Sequence, residues 1–182
     1  MTVEQFKALP KKEKKIAVAK DVIAQLKKGK YIAHCGTYCD LDVDFDFYEK
    51  DAKKNFSKIE SCRVCAVGSA LVSTVRFANS MTIREMDRFA DSDTAGFEKA
   101  NKLLGSVFTA KELLLMEYAF EGDSGGRYGG NLDENLFLNS EDKEKAYDFR
   151  KEFEDEDTWD VDEDALLTAI MKNIVKHGTF RP

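Results

Sequence analysis

Along most of this chain apolar residues recur every three or four positions, the spacing of amphipathic helices. Ile16, Ala19, Val22, Ile23 and Leu26 form one such stripe, with Pro10 suited to the first helical position and Gly29 to the stop. From Val64 onward, Val67, Leu71 and Val75 make a second stripe. Ala66, Gly68, Ser69 and Ala70 keep the adjoining surface small enough for close packing, so this segment is expected to be the central helix. Thr109 and Glu112 have capping-box spacing ahead of Leu113, Leu114, Tyr118 and Phe120. Ser140 is placed to cap a helix bearing Ala146, Phe149 and Phe153. Asp162 is placed to cap the last one, in which Leu166, Leu167, Ile170 and Ile174 face inward and Gly178 closes.

One segment changes period. From Asp40 to Phe47 polar and apolar residues alternate strictly, which predicts a half-buried strand with Leu41, Val43, Phe45 and Phe47 on its inner face. Tyr31 to Thr37 would supply its partner. The expected fold is therefore mainly α, of α+β class, with one small β-hairpin near residues 31–49. No composition break divides residues 1–182, so a single domain is expected, with the glycine-rich stretch 121–131 as a flexible connector. That stretch holds five of the eleven glycines.

Charge adds a second pattern. The formal net charge is -6, which argues against general nucleic-acid binding and suits a basic protein partner. Residues 7–30 carry nine lysines against Glu13 and Asp21, whereas residues 151–164 carry nine acids against Lys151. These runs read either as solvated helix faces, set opposite each other across the fold, or as surfaces that steer a partner. Three acidic or exposed groups are candidate contacts: the ladder Asp40, Asp42, Asp44 and Asp46; the cluster Glu154, Asp155, Glu156 and Asp157; and Arg127 with Tyr128 in the glycine-rich stretch. Calcium suits the ladder less well, because it lacks the glycine and terminal glutamate of an EF-hand loop.

All four cysteines, Cys35, Cys39, Cys62 and Cys65, fall between positions 35 and 65. With no secretory signal in MTVEQFKALPKKEKK and no apolar run near the roughly 20 residues of a membrane span, the expected compartment is the cytoplasm, where thiols stay reduced. Two close pairs, C-x3-C and C-x2-C, can offer four thiolates to one structural zinc ion, with Cys62 and Cys65 one turn apart at a helix start and His34 as a substitute ligand. The alternative to zinc is that Cys65 packs as a small apolar residue beside Leu71.

Ala33-His34-Cys35 and Gly122-Asp123-Ser124-Gly125-Gly126 resemble the histidine and nucleophile motifs of trypsin-like serine proteases. That family is a pair of β-barrels, and the helical pattern here excludes its geometry. The glycine-rich stretch lacks the Lys-Ser/Thr of a phosphate-cradling loop.

The run Cys62-Arg63-Val64-Cys65-Ala66-Val67-Gly68 and the closing Asn173-Ile174-Val175-Lys176-His177-Gly178-Thr179-Phe180 resemble small proteins carried by phages and other mobile elements. The overall profile is similar to anti-CRISPR inhibitors of type II effector nucleases. That resemblance implies non-enzymatic, stoichiometric binding to an RNA-guided nuclease or its guide complex, and no catalytic residue travels with it. The alternative is a zinc-clipped, nucleic-acid-associated module that uses the lysine-rich helix from Lys11 to Lys30.

Overall fold

The computed structural model describes residues 1–42, 56, 59–87, 95–122 and 137–182. Among them are eight helices and one three-stranded sheet: α1 (Val3–Ala8), α2 (Lys11–Leu26), β1 (Tyr31–Ala33), β2 (Cys39–Leu41), β3 (Cys62–Val64), α3 (Ala66–Ala78), α4 (Ile83–Asp87), α5 (Ala95–Gly105), α6 (Ala110–Glu121), α7 (Ser140–Lys151) and α8 (Glu163–His177). The mainly helical α+β reading holds. No helix among the described residues is long and apolar enough to cross a membrane.

The helix at 66–78 is central, as its stripe and small residues predict. Every residue of α3 except Arg76 and Phe77 is buried, and it touches α1, α2, α5, α6, β2 and β3. Gly68 explains the close approach on its small face. A Cβ placed there would lie 1.4 Å from the backbone oxygen of Tyr38, so only glycine admits the loop that crosses α3. α8 packs along α2; Leu166, Leu167, Ile170 and Ile174 of the one and Val18, Ala19 and Val22 of the other are buried.

The sheet departs from the expected hairpin. Its order is β1-β3-β2, so β1 and β2 do not pair with each other. β3 lies between them, parallel to β1 (Tyr31 opposite Cys62) and antiparallel to β2 (Leu41 opposite Cys62). The run Cys62-Arg63-Val64 is extended because it fills the centre of the sheet: Cys62 and Val64 are buried while Arg63 is exposed. Cys62 is therefore not one helical turn from Cys65. Only Cys65 sits at the helix start, where its sulfur accepts the Gly68 amide at 3.4 Å. The alternation from Cys39 to Asp42 matches the expected strand face, with Leu41 buried and Asp42 exposed. The rest of the predicted strand, 43–47, lies outside the described residues.

Helix starts shift by one residue in two places. Pro10 is the N-cap of α2 rather than its first residue. Asn139, not Ser140, caps α7: its side chain accepts the Asp142 amide at 2.8 Å, and Asp142 reaches back to the Asn139 amide at 3.3 Å. An Asn-x-x-Asp box satisfies two orphan amides, which a serine one residue later does not.

Candidate partner-binding surface

The acidic segment 152–162 joins α7 to α8 as an ordered turn. Asp162 caps α8 by accepting the Ala165 amide at 2.9 Å, which sets where the turn ends. Glu154 and Val161 bridge across its base, and the Asp162 amide donates to the Phe153 carbonyl at 3.0 Å. Phe153 and Val161 root that base in the core, Phe153 beside Phe149 at 5.8 Å between ring centroids. Within the turn the Asp155 carboxylate accepts the amides of Asp157 and Thr158, each at 2.9 Å, and the Thr158 hydroxyl at 3.2 Å. Those donors, the Thr158 amide first, hold the Asp155 carboxyl below its usual range.

These bonds sort the acids that the sequence nominates. Asp155 folds the turn, and Glu154 pairs with Arg150 at 3.2 Å, so neither carboxylate is spare. Glu156 and Asp157 are exposed, as is Asp160, and none of the three has an ion pair among the described residues. Farther along, Glu163 and Asp164 turn inward to hold the β1 end: Glu163 accepts the Cys35 amide at 3.0 Å and Asp164 the Ala33 amide at 3.1 Å.

At the tip stands Trp159, the chain's single tryptophan, 74% exposed and at φ +62°. Both features run against ordinary stability. A tryptophan is normally well buried, and a bulky side chain at positive φ costs of order 1–3 kcal/mol. Its amide is nevertheless fixed, donating to the Asp155 carbonyl at 2.9 Å. The structure thus holds a large aromatic in water, in a turn that also exposes Glu156, Asp157 and Asp160. Sequence reasoning nominated the acids and missed the tryptophan, although a lone tryptophan in a run with little else apolar is a visible signal.

No protein-family model, no curated protein and no solved structure matches this chain.

The aspartate ladder is only partly described. Asp40 is ion-paired with Arg63, its register partner on β3, and Asp42 is exposed. With Ile32 they line a shallow groove of about 310 Å3 on the outer face of the sheet. Asp44, Asp46, Arg127, Tyr128 and Ser124 lie outside the described residues.

The cysteine quartet does not converge. Among the described residues no three His, Cys, Asp or Glu side chains group as metal ligands. Cys65 caps α3, and the Cys35 sulfur lies 3.3 Å from the Phe120 carbonyl and 3.9 Å from Arg150. Burial, then the neighbouring Glu121 charge, pushes the Cys35 thiol up to about 12. His34 Nδ1 lies 2.6 Å from the Cys35 carbonyl oxygen. This arrangement does not fit a tetrahedral four-thiolate zinc site.

The lysine-rich helix is partly spent on structure. Lys15 is buried against Glu112, which also accepts the Thr179 hydroxyl, and Lys30 donates to the Ile59 carbonyl at 2.5 Å. At the C-terminal end of α2 a cleft of about 530 Å3 is lined by Lys28, Lys30 and Arg76, but Arg76 is already bonded to Asp21 at 2.7 Å.

Proposed function

We propose that this protein works without catalysis, as an acidic binding protein whose 152–162 turn docks Trp159 into a pocket on a basic partner. The observation that carries the reading is an exposed tryptophan held at positive φ in a turn whose Glu156, Asp157 and Asp160 are also exposed. Tryptophan dominates interface energetics when its large surface is buried at a contact centre. The surrounding acids supply complementarity to lysine and arginine, which sets encounter rate and partner choice. A nucleic-acid-handling enzyme is the partner class that fits best, because its nucleic-acid channel is positively charged. An RNA-guided nuclease is the specific case, blocked by stoichiometric binding in the manner of anti-CRISPR inhibitors.

Trp159→Gly tests this directly, since glycine tolerates the positive φ and removes the anchor. Affinity for the partner, and inhibition of target cleavage by a purified RNA-guided nuclease, are expected to fall about 30-fold, the effect of a 2 kcal/mol hot spot. Stability is expected to stay level or rise by about 1 kcal/mol. Unchanged affinity in the variant would end the docking role of Trp159. Failure of the unmodified protein to bind or inhibit any nuclease tested would remove that partner class.

A second reading has one observation in its favour, the cationic cleft of Lys28, Lys30 and Arg76 at the end of the lysine-rich helix. On that reading the protein associates with nucleic acid directly. Salt-dependent DNA binding by the isolated chain would favour it. Binding only to a nuclease would favour the first.

A further inference from the structure

We infer that Cys39 and Cys62 are a redox modification site, a dithiol pair that converts reversibly to a disulfide and staples β2 to β3. Their sulfurs lie 3.7 Å apart. The two residues occupy adjacent antiparallel strands, Cys39 opposite Val64 and Cys62 opposite Leu41, and all four side chains belong to the buried face. Sulfur atoms in van der Waals contact need to close only to the bond length of about 2.05 Å. The two residues are diagonal rather than directly opposite neighbours, so closing the bond draws β2 and β3 together locally as well as turning the two side chains. The other two cysteines are committed elsewhere, Cys65 to the start of α3 and Cys35 to the Phe120 carbonyl. The 3.7 Å sulfur contact therefore selects Cys39 with Cys62 as the expected pair.

Access sets the order of events. Cys62 is fully buried while Cys39 is 7% exposed, so an oxidant meets Cys39 first. With a small disulfide such as oxidised glutathione, the Cys39 thiolate attacks one sulfur of the oxidant. A mixed disulfide forms, and one small thiolate leaves and takes up the proton that Cys39 lost. The Cys62 thiolate then attacks the Cys39 sulfur and expels the second small thiol, which takes up the proton from Cys62. Two protein thiols are oxidised and one small disulfide is reduced to two thiols. The product covalently closes segment 40–61, which contains Asp40 and Asp42 of the acidic ladder. Closing a chain segment restricts the unfolded ensemble, so the oxidised form should resist denaturation better.

The test is to incubate the native protein with oxidised glutathione, quench with acid, and map disulfides by mass spectrometry without reduction. The expected result is one Cys39–Cys62 linked peptide pair, lighter by two hydrogens. It should be reversed by dithiothreitol and accompanied by an upward shift of the urea midpoint. Cys62→Ala should instead retain glutathione on Cys39, because no second thiol is present to resolve it. If that variant does not fold, the map of the unsubstituted protein still decides. Native pairing of either residue with Cys35 or Cys65 would overturn the inference, and so would no 39–62 link under conditions that oxidise the urea-unfolded chain.

Discussion

Gly68 lies in the first turn of α3 beneath the carbonyl of Tyr38, where a methyl group would collide with backbone rather than with a side chain able to move. Gly68→Ala is therefore expected to destabilise the protein by at least about 2 kcal/mol in urea titrations, although alanine is the better helix former by nearly 1 kcal/mol. A neutral or stabilising result would mean that the 34–38 loop yields cheaply. Side chains hold that loop in place from several directions. The Tyr38 hydroxyl donates to Glu117 at 2.5 Å, the Gly36 amide to Glu121 at 2.6 Å and the Cys35 amide to Glu163. Such convergence is invisible in one dimension. The small size of Gly68 is legible in the chain, but the loop that requires it comes from 30 residues upstream, and nothing local announces the meeting. Cys62 teaches a related lesson: read in sequence it belongs with Cys65 at a helix start, but β-pairing on both sides makes it extended.

Capping ties sequence to structure most directly at the scale of elements, because its signals are local. Thr109 and Glu112 form the expected box: Thr109 Oγ1 accepts the Glu112 amide at 3.2 Å, and the Thr109 amide donates to Glu112 at 2.8 Å. Glu112 also receives Lys15 from α2 and Thr179 from the segment after α8, so this cap joins three parts of the fold. Thr109→Ala should cost about 1–2 kcal/mol, the upper part of the range for a lost N-cap. Thr2→Ala removes the same box from α1, whose cap is exposed and whose helix is only six residues long, and should cost less. Equal losses in chemical denaturation would show that the shared Glu112 adds nothing to the cap. Strand pairing behaves differently from capping. The alternation after Cys39 marks a strand, but the choice of β3 as its partner depends on a segment some twenty residues away whose own pattern reads as the approach to a helix.

For the whole molecule, buried and bonded ionisable groups define the pH range of stability. Burial alone would raise the Glu112 carboxyl, but the bonds from Lys15, Thr179 and Thr109 outweigh it and hold the group below its ordinary 4.5. The Lys111 bond does the same for Asp142, as the Thr158 and Asp157 amides do for Asp155. Depressed carboxyls contribute stability that is present above their unfolded values and lost as pH falls through the folded ones. In the opposite sense, burial raises the Cys65 thiol and the Tyr38 phenol, and it lifts Cys35 to about 12. Raised acids contribute stability that is complete below their unfolded values and lost as pH climbs above them. The urea midpoint should thus stay level between about pH 5 and 8 and fall on both sides. A midpoint unchanged at about pH 3 would remove the acid limb of this account, and one unchanged at about pH 10 the alkaline limb. By itself the sequence determined the helical class, the helix starts capped by Thr109 and Asp162, the central place of the 66–78 helix and the acidity of the 152–164 segment, because period, caps and charge are properties of neighbouring residues. Only the tertiary structure decided which strands pair, which acids are spent on structure, that the four cysteines divide rather than converge, and that Trp159 stands exposed. Each of those depends on contacts between residues far apart in the chain, where packing and hydrogen-bond satisfaction override local preference.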